Sequence, residues 1–162
     1  MWNFFGKPLP AGSAAPDFEA LDDSGRLVRL SSLRGQAVLL VFYPADGTPV
    51  CRAQLCEIRD SWGEFEAAKV HVFGVNPASA ASHRRFISHN RFPFPILVDE
   101  GQRVAKQYRA SGLFVKRSVV LIDGAGTVVF SRRGKPSPET ALRALRQNEM
   151  SGICETKPPM AG

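Results

Sequence analysis

The chain has only three cysteines among 162 residues, only two tryptophans and two tyrosines, and no apolar run near the ~20 residues of a membrane-spanning helix. Three cysteines are too few for a disulfide-stapled scaffold, and an odd number leaves at least one outside any intramolecular pair. Thiol redox chemistry or plain packing fits them better. Acidic residues are outnumbered, 15 against 21 Lys and Arg, for a net charge of +6. The close basic clusters, Arg84-Arg85, Arg132-Arg133 and Lys135, lie far apart and have no aromatic platform or recognition helix beside them. We therefore expect a solvated basic surface and no nucleic-acid partner. The N-terminus, Met1-Trp-Asn-Phe-Phe-Gly-Lys-Pro-Leu-Pro10, lacks a basic leader ahead of a long apolar core, so the expectation is a cytoplasmic protein without membrane association. His71, His83 and His89 do not stand at ligand spacing from carboxylates or cysteines. Surface roles are expected for them, and no metal.

At this length, with ordinary apolar and charged fractions, one domain with a packed core is expected. Residues 1–16 read as an irregular lead-in and residues 1–148 as the domain, with 149–162 a mobile tail where periodicity is lost. Asp17–Leu21 and Leu27–Leu30 flank Asp22-Asp-Ser-Gly25, which has hairpin turn chemistry. Val38–Tyr43 is apolar at every position, as a central strand covered on both faces must be. Leu55, Ile58, Trp62 and Phe65 recur at helical spacing and predict a helix from Pro49 to about Ala67. A strand over 70–75, a helix over 79–90, a strand over 94–98 and a helix over 101–108 follow. Ser118–Ile122 and Thr127–Phe130 then make a second hairpin, with Gly124-Ala-Gly126 as its turn rather than a phosphate loop, because a strand follows. A last helix opens at Ser137-Pro-Glu139 and is expected to end near Gln147. The alternation predicts an α/β domain with a central mixed β-sheet flanked by helices and an N-terminal β-hairpin.

The chemistry concentrates in Pro44-Ala-Asp-Gly-Thr48-Pro-Val-Cys51-Arg-Ala-Gln-Leu-Cys56, where a buried strand gives way to a loop and a helix starts at Pro49. Cys51 falls in the first turn of that helix. Unpaired N–H groups and the helix dipole there favour the anionic, nucleophilic sulfur. Open α/β sheets also gather their ligand sites at this end of the strands. The competing reading is that cysteine is often simply buried packing.

The spaced Pro44, Thr48 and Cys51 after an apolar strand ending Phe-Tyr resemble the active-site motif of the peroxiredoxins. Cys56, five residues on, is similar to the bacterioferritin-comigratory or peroxiredoxin Q class. The resemblance extends to Pro16-Asp-Phe18, Pro95–Asp99 and Arg117–Asp123, and covers residues 8 to 148. It implies a thioredoxin-like fold and a thiol peroxidase that reduces hydrogen peroxide and organic hydroperoxides with cysteine alone, without cofactor or metal. In that reading Cys51 is the peroxidatic cysteine and passes through a sulfenic acid, Thr48 bonds the peroxide and the sulfur, and Pro44 walls the pocket from water. Arg117 holds the thiolate and the peroxide oxygen. Electrons come from thioredoxin or a similar dithiol protein, and the chain is a monomer or homodimer.

Cys56 is the resolving cysteine implied by the class. In a regular helix it lies roughly 8 to 9 Å from Cys51 by Cα, beyond the 4.4–6.8 Å that a disulfide needs, so pairing requires the first turns to unwind. Cys56 as a buried structural thiol, and Cys154 in the tail as rival resolver, stay open. Three departures stand out: Arg52 in place of a small hydroxyl residue, Gln54 in place of Glu, and Val50 in place of Gly. Arg52 either adds a second cation beside the sulfur or faces solvent. Two other functions compete: a thiol–disulfide oxidoreductase, which lacks the usual Cys-x-x-Cys, and a non-enzymatic thioredoxin-fold binding module with an inert Cys51.

Overall fold

The computed structural model describes residues 6–155, with side chains to residue 152. In chain order these form the hairpin β1 (Glu19–Leu21) and β2 (Leu27–Arg29), the central strand β3 (Ala37–Phe42), α1 (Pro49–Asp60), α2 (Trp62–Ala67) and β4 (Val70–Asn76). There follow α3 (Ala80–Asn90), β5 (Ile96–Val98), α4 (Arg103–Gln107), β6 (Ser118–Ile122), β7 (Val128–Arg133) and α5 (Pro138–Glu155).

β3 is buried at every position, and that explains its composition. It sits in the middle of a sheet ordered β5-β4-β3-β6-β7, parallel to β4 and antiparallel to β6. Val38, Leu40 and Phe42 face one core, closed by Phe18, Val28 and Leu30 of the hairpin region and by Val104 and Tyr108 around α4. Leu39, Val41 and Tyr43 face the other, against Leu55 and Ile58 of α1, Phe65 of α2, Phe86 of α3 and Leu142 and Leu145 of α5. Side chains on a strand alternate faces, so one apolar run feeds both cores. The arrangement is a thioredoxin-like mixed sheet flanked by helices with an N-terminal hairpin, as the resemblance implies.

Several elements differ in extent from the periodicity. The helix expected from Pro49 to Ala67 breaks at Ser61, whose backbone leaves helical geometry at φ −102°, ψ 15°. The strand expected over 94–98 pairs from Ile96, because Pro93 and Pro95 lack ladder N–H groups. The helix expected over 101–108 begins as a 3-10 turn, Gly101 and Gln102 taking left-handed φ of 70° and 57°, before α4. Residues 12–15 bond to residues 126 and 128 beside the start of β7, giving the lead-in an edge to lie along. The last helix runs to Glu155, past the expected end near Gln147; Asn148 Nδ2 donates to Asp123 Oδ2 at 3.3 Å and Ser151 Oγ to the Gln147 carbonyl at 3.0 Å. The side chain of Cys154 and residues 156–162, half of the expected tail, fall outside the described part.

Gly74 in β4 lies close against Ile96 of β5 and Tyr43 at the end of β3. A Cβ there would stand 3.1 Å from Ile96 Cγ1 and 3.2 Å from Tyr43 Cε1. Both neighbours are fully buried and have no room to yield. Gly74→Ala is therefore expected to cost about 1–3 kcal/mol by overpacking, read as a lowered midpoint in urea with an unchanged slope.

Candidate active site

Thr48, in extended geometry at φ −76°, ψ 147°, is the N-cap of α1, and Pro49 is its first residue. Cys51 is thus the third helical residue, where a backbone N–H still lacks a partner inside the helix. Its side chain is 1% exposed and packs with Leu55 and Tyr43. Because β6 runs antiparallel to β3 with Ser118 opposite Phe42, the residue before β6 arrives where the chain leaves β3. That residue is Arg117.

Arg117 Nη2 donates to Cys51 Sγ at 3.2 Å, and Nη1 donates to Gln54 Oε1 at 2.8 Å. A guanidinium has donors only, so the sulfur is the acceptor. Gln54, 2% exposed and three residues along α1 from Cys51, orients the cation. Its amide reaches the Gly134 carbonyl at 3.5 Å, and Gly134 N–H donates to the Arg117 carbonyl at 2.8 Å. Arg117 is thus held at both ends. In sequence Gln54 stood out only as a departure, and helical spacing from Cys51 is the signal that could have found it.

The other expected site residues are less intimately placed. Pro44 is half-buried at the start of the loop. Thr48 is exposed, and its hydroxyl donates to the Ala45 carbonyl at 3.4 Å, within the loop. Val50 is 55% exposed. Arg52 faces outward and lines an open groove of about 820 Å³ between α1 and α3, together with Arg84, Arg85 and His89. Cys56 is half-buried against the α1–α5 core and, like Cys51, is a free thiol. α1 is unbroken from one cysteine to the other.

One expectation is corrected. His83 is not a surface residue: it is fully buried, and its Nδ1 lies 2.7 Å from Asp46 Oδ2. It sits on the same face of α3 as Phe86, and the loop after β3 brings the Asp46 carboxylate to it. Asp46 also accepts from the Tyr43 hydroxyl at 2.6 Å and the Ser82 hydroxyl at 2.7 Å. Burial works to raise the Asp46 carboxyl, but the hydrogen bonds from His83, Tyr43 and Ser82 outweigh it and hold the group below the usual carboxylate range. Burial first, and the Asp46 charge second, push the Tyr43 phenol far above its ordinary range, so it stays a donor. His89 is exposed as expected.

Among the described residues no three His, Cys, Asp or Glu side chains converge to hold a metal ion. No described helix is long and apolar enough to cross a membrane.

A profile of the AhpC/TSA family matches residues 11–131. Peroxiredoxin Q, chloroplastic, of Oryza sativa subsp. japonica is 39% identical over 132 residues, 79% of this chain and 61% of that protein. The Arabidopsis thaliana protein of the same name is also 39% identical over the same shares. The chain thus spans about three fifths of the length of these curated relatives. Among solved structures, Peroxidoxin BcpB from Mycobacterium tuberculosis superposes with a TM-score of 0.80 at 31% identity, over 86% of this chain and 97% of that one. The Xanthomonas campestris bacterioferritin comigratory protein, at 24% identity and a TM-score of 0.75 over 81% and 91% of the two chains, shares the fold. The profile match over three quarters of the chain, together with the sheet shared with the Mycobacterium tuberculosis protein, shows the kinship: the chain belongs to the AhpC/TSA family of peroxiredoxins.

Proposed function

We propose that the protein is a thiol peroxidase that reduces hydrogen peroxide and organic hydroperoxides through Cys51. The observation that carries this is the 3.2 Å contact of Arg117 Nη2 with the buried Cys51 sulfur in the first turn of α1. The thiolate attacks the nearer peroxide oxygen; the S–O bond forms as the O–O bond breaks. The departing oxygen takes a proton and leaves as water or alcohol, and the sulfur is left as a sulfenic acid. Arg117 has donors for both the sulfur and the oxygen on which charge develops. Thr48, whose hydroxyl needs only to turn from the Ala45 carbonyl, bonds the peroxide, and Pro44 shields the pocket.

Cys56 then attacks the Cys51 sulfenic acid, releasing water and forming a disulfide. A thioredoxin-like dithiol returns the two electrons. The placement of bonds along α1 supports local unwinding. Thr48, Pro49, Val50, Arg52 and Ala53 are exposed, so few contacts beyond the sulfur and Gln54 hold the first turn. The far end is pinned: Arg59 Nη1 donates to the Asn90 carbonyl at 2.6 Å, and Lys135 pairs with Glu57 at 3.2 Å. Unwinding from the N-terminus carries Cys51 toward a Cys56 that stays with the core.

Three outcomes test this. With thioredoxin as reductant, Cys51→Ser abolishes peroxide consumption, while Cys56→Ser keeps the first oxidation and loses efficient recycling. Mass spectrometry of peroxide-treated wild type shows a Cys51–Cys56 crosslink; a Cys51–Cys154 crosslink contradicts the assignment. Arg117→Ala lowers the rate of Cys51 oxidation about 100-fold and reduces the thiolate absorbance at neutral pH, as expected on losing a preorganised donor at the reacting atoms.

A further inference from the structure

The reactive loop is fastened to the body by a buried polar ring that the sulfur chemistry does not use. Tyr43 and Asn76 end up side by side because β3 and β4 are parallel with Phe42 opposite Val75. Asn76 Nδ2 donates to the Tyr43 carbonyl at 2.9 Å, and its Oδ1 accepts from Ala78 N–H at 2.8 Å. The Tyr43 hydroxyl donates to Asp46 Oδ1, and Asp46 Oδ2 takes His83 Nδ1 and the Ser82 hydroxyl. His83 Nε2 lies 3.1 Å from the Asn76 carbonyl, which closes the ring. Both ring nitrogens of His83 face oxygens, Nδ1 the Asp46 carboxylate and Nε2 the Asn76 carbonyl.

Burying such a pair is costly, and apolar side chains of similar volume commonly serve stability as well or better. What this pair has is a location. Among residues 44–50, Asp46 alone sends a bonded side chain into the body of the protein; its side chain is 8% exposed, whereas Gly47, Thr48, Pro49 and Val50 are all exposed. Gly47 adds a left-handed turn at φ +81°, so the loop has little stiffness of its own there. The Cys51 sulfur is held separately, by Leu55 and Ile58 packing α1 and by Arg117.

We propose that Asp46 and His83 are positioning residues for the peroxide step, their pair fixing the Pro44–Thr48 loop over the Cys51 sulfur independently of the Arg117 contact that holds the thiolate. This rests on the thiol peroxidase reading. Arg117 reaches the sulfur from β6, while Thr48 and Pro44 reach the peroxide from the loop. Loosening the loop misplaces the oxygen to be attacked and leaves the thiolate as it was.

The test measures two quantities on Asp46→Asn, Asp46→Ala and Tyr43→Phe: the rate of Cys51 oxidation by hydrogen peroxide in a rapid-mixing single turnover, and the ultraviolet titration of the Cys51 thiolate. Misplacement by about an ångström is worth roughly 100-fold, so Asp46→Ala is expected to react about 100-fold more slowly and Asp46→Asn, which keeps the shape and an acceptor for His83, about 10-fold. Tyr43→Phe shows a smaller loss in the same direction. In all three the thiolate titration matches wild type, a result that general loosening of the site does not produce. If Asp46→Ala fails to fold, the two shape-conserving variants decide. Wild-type rates in both overturn the proposal, and so does a thiolate titration that moves in step with the rate. A wild type that does not react with peroxide at all instead refutes the peroxidase reading, so the two failures are distinct.

Discussion

The contact between the Arg117 guanidinium and the Cys51 sulfur is the constraint that the rest of the site serves. Its two partners are distant in sequence and meet because β6 lies antiparallel against β3, in a register that brings the start of one strand to the end of the other. The sulfur contributes a position at a helix start, with its unpaired N–H groups. The arginine contributes a fixed cation, braced by Gln54 and Gly134. Displacing the register of β6 would separate the two. The uninterrupted burial of β3 and β6 is therefore a condition of the chemistry as well as of stability.

A second polar assembly stands on the other side of the same loop. The Asp46–His83 pair, Tyr43 and Asn76 have their buried polar atoms satisfied, and removing one partner would leave another without its hydrogen bond, which typically costs about 1–3 kcal/mol. The loop between Tyr43 and Cys51 is thus gripped at its base, while the first turn of α1 after it is largely exposed and the last turns are tied to the end of α3 and to the segment after β7. Rigid ends with a lightly held turn between them suit the proposed cycle, in which the segment is ordered for peroxide attack and then yields for disulfide formation.

Much of the fold was legible because its signals are local. The six apolar residues of β3, the Leu55–Ile58–Phe65 spacing, the Ser-Pro start of α5 and the β-branched hairpin each follow from side-chain pattern alone. Less legible were features set by backbone geometry, such as the break at Ser61, the left-handed Gly101-Gln102 turn before α4 and the continuation of α5 through Asn148. At the site, Cys51 was visible from its place at a helix start, but Arg117 emerged only through resemblance, because nothing near it in sequence marks it. Gln54 stood out only as a departure from the family pattern, and His83 read as a surface residue. What buries them is a partner from elsewhere: the Arg117 fork for Gln54, and a carboxylate from the loop for His83. Tertiary pairing of this kind leaves no periodic trace in sequence.

The central claim is that Cys51 is the sulfur that peroxide oxidises. The most direct measurement is to treat the reduced Cys56→Ser protein with one equivalent of hydrogen peroxide in the presence of a sulfenic-acid-specific trapping reagent and locate the adduct by peptide mass spectrometry. The account predicts an adduct on Cys51 and none on Cys154. An adduct confined to Cys154, or prompt loss of peroxide with Cys51 unmodified, would contradict it.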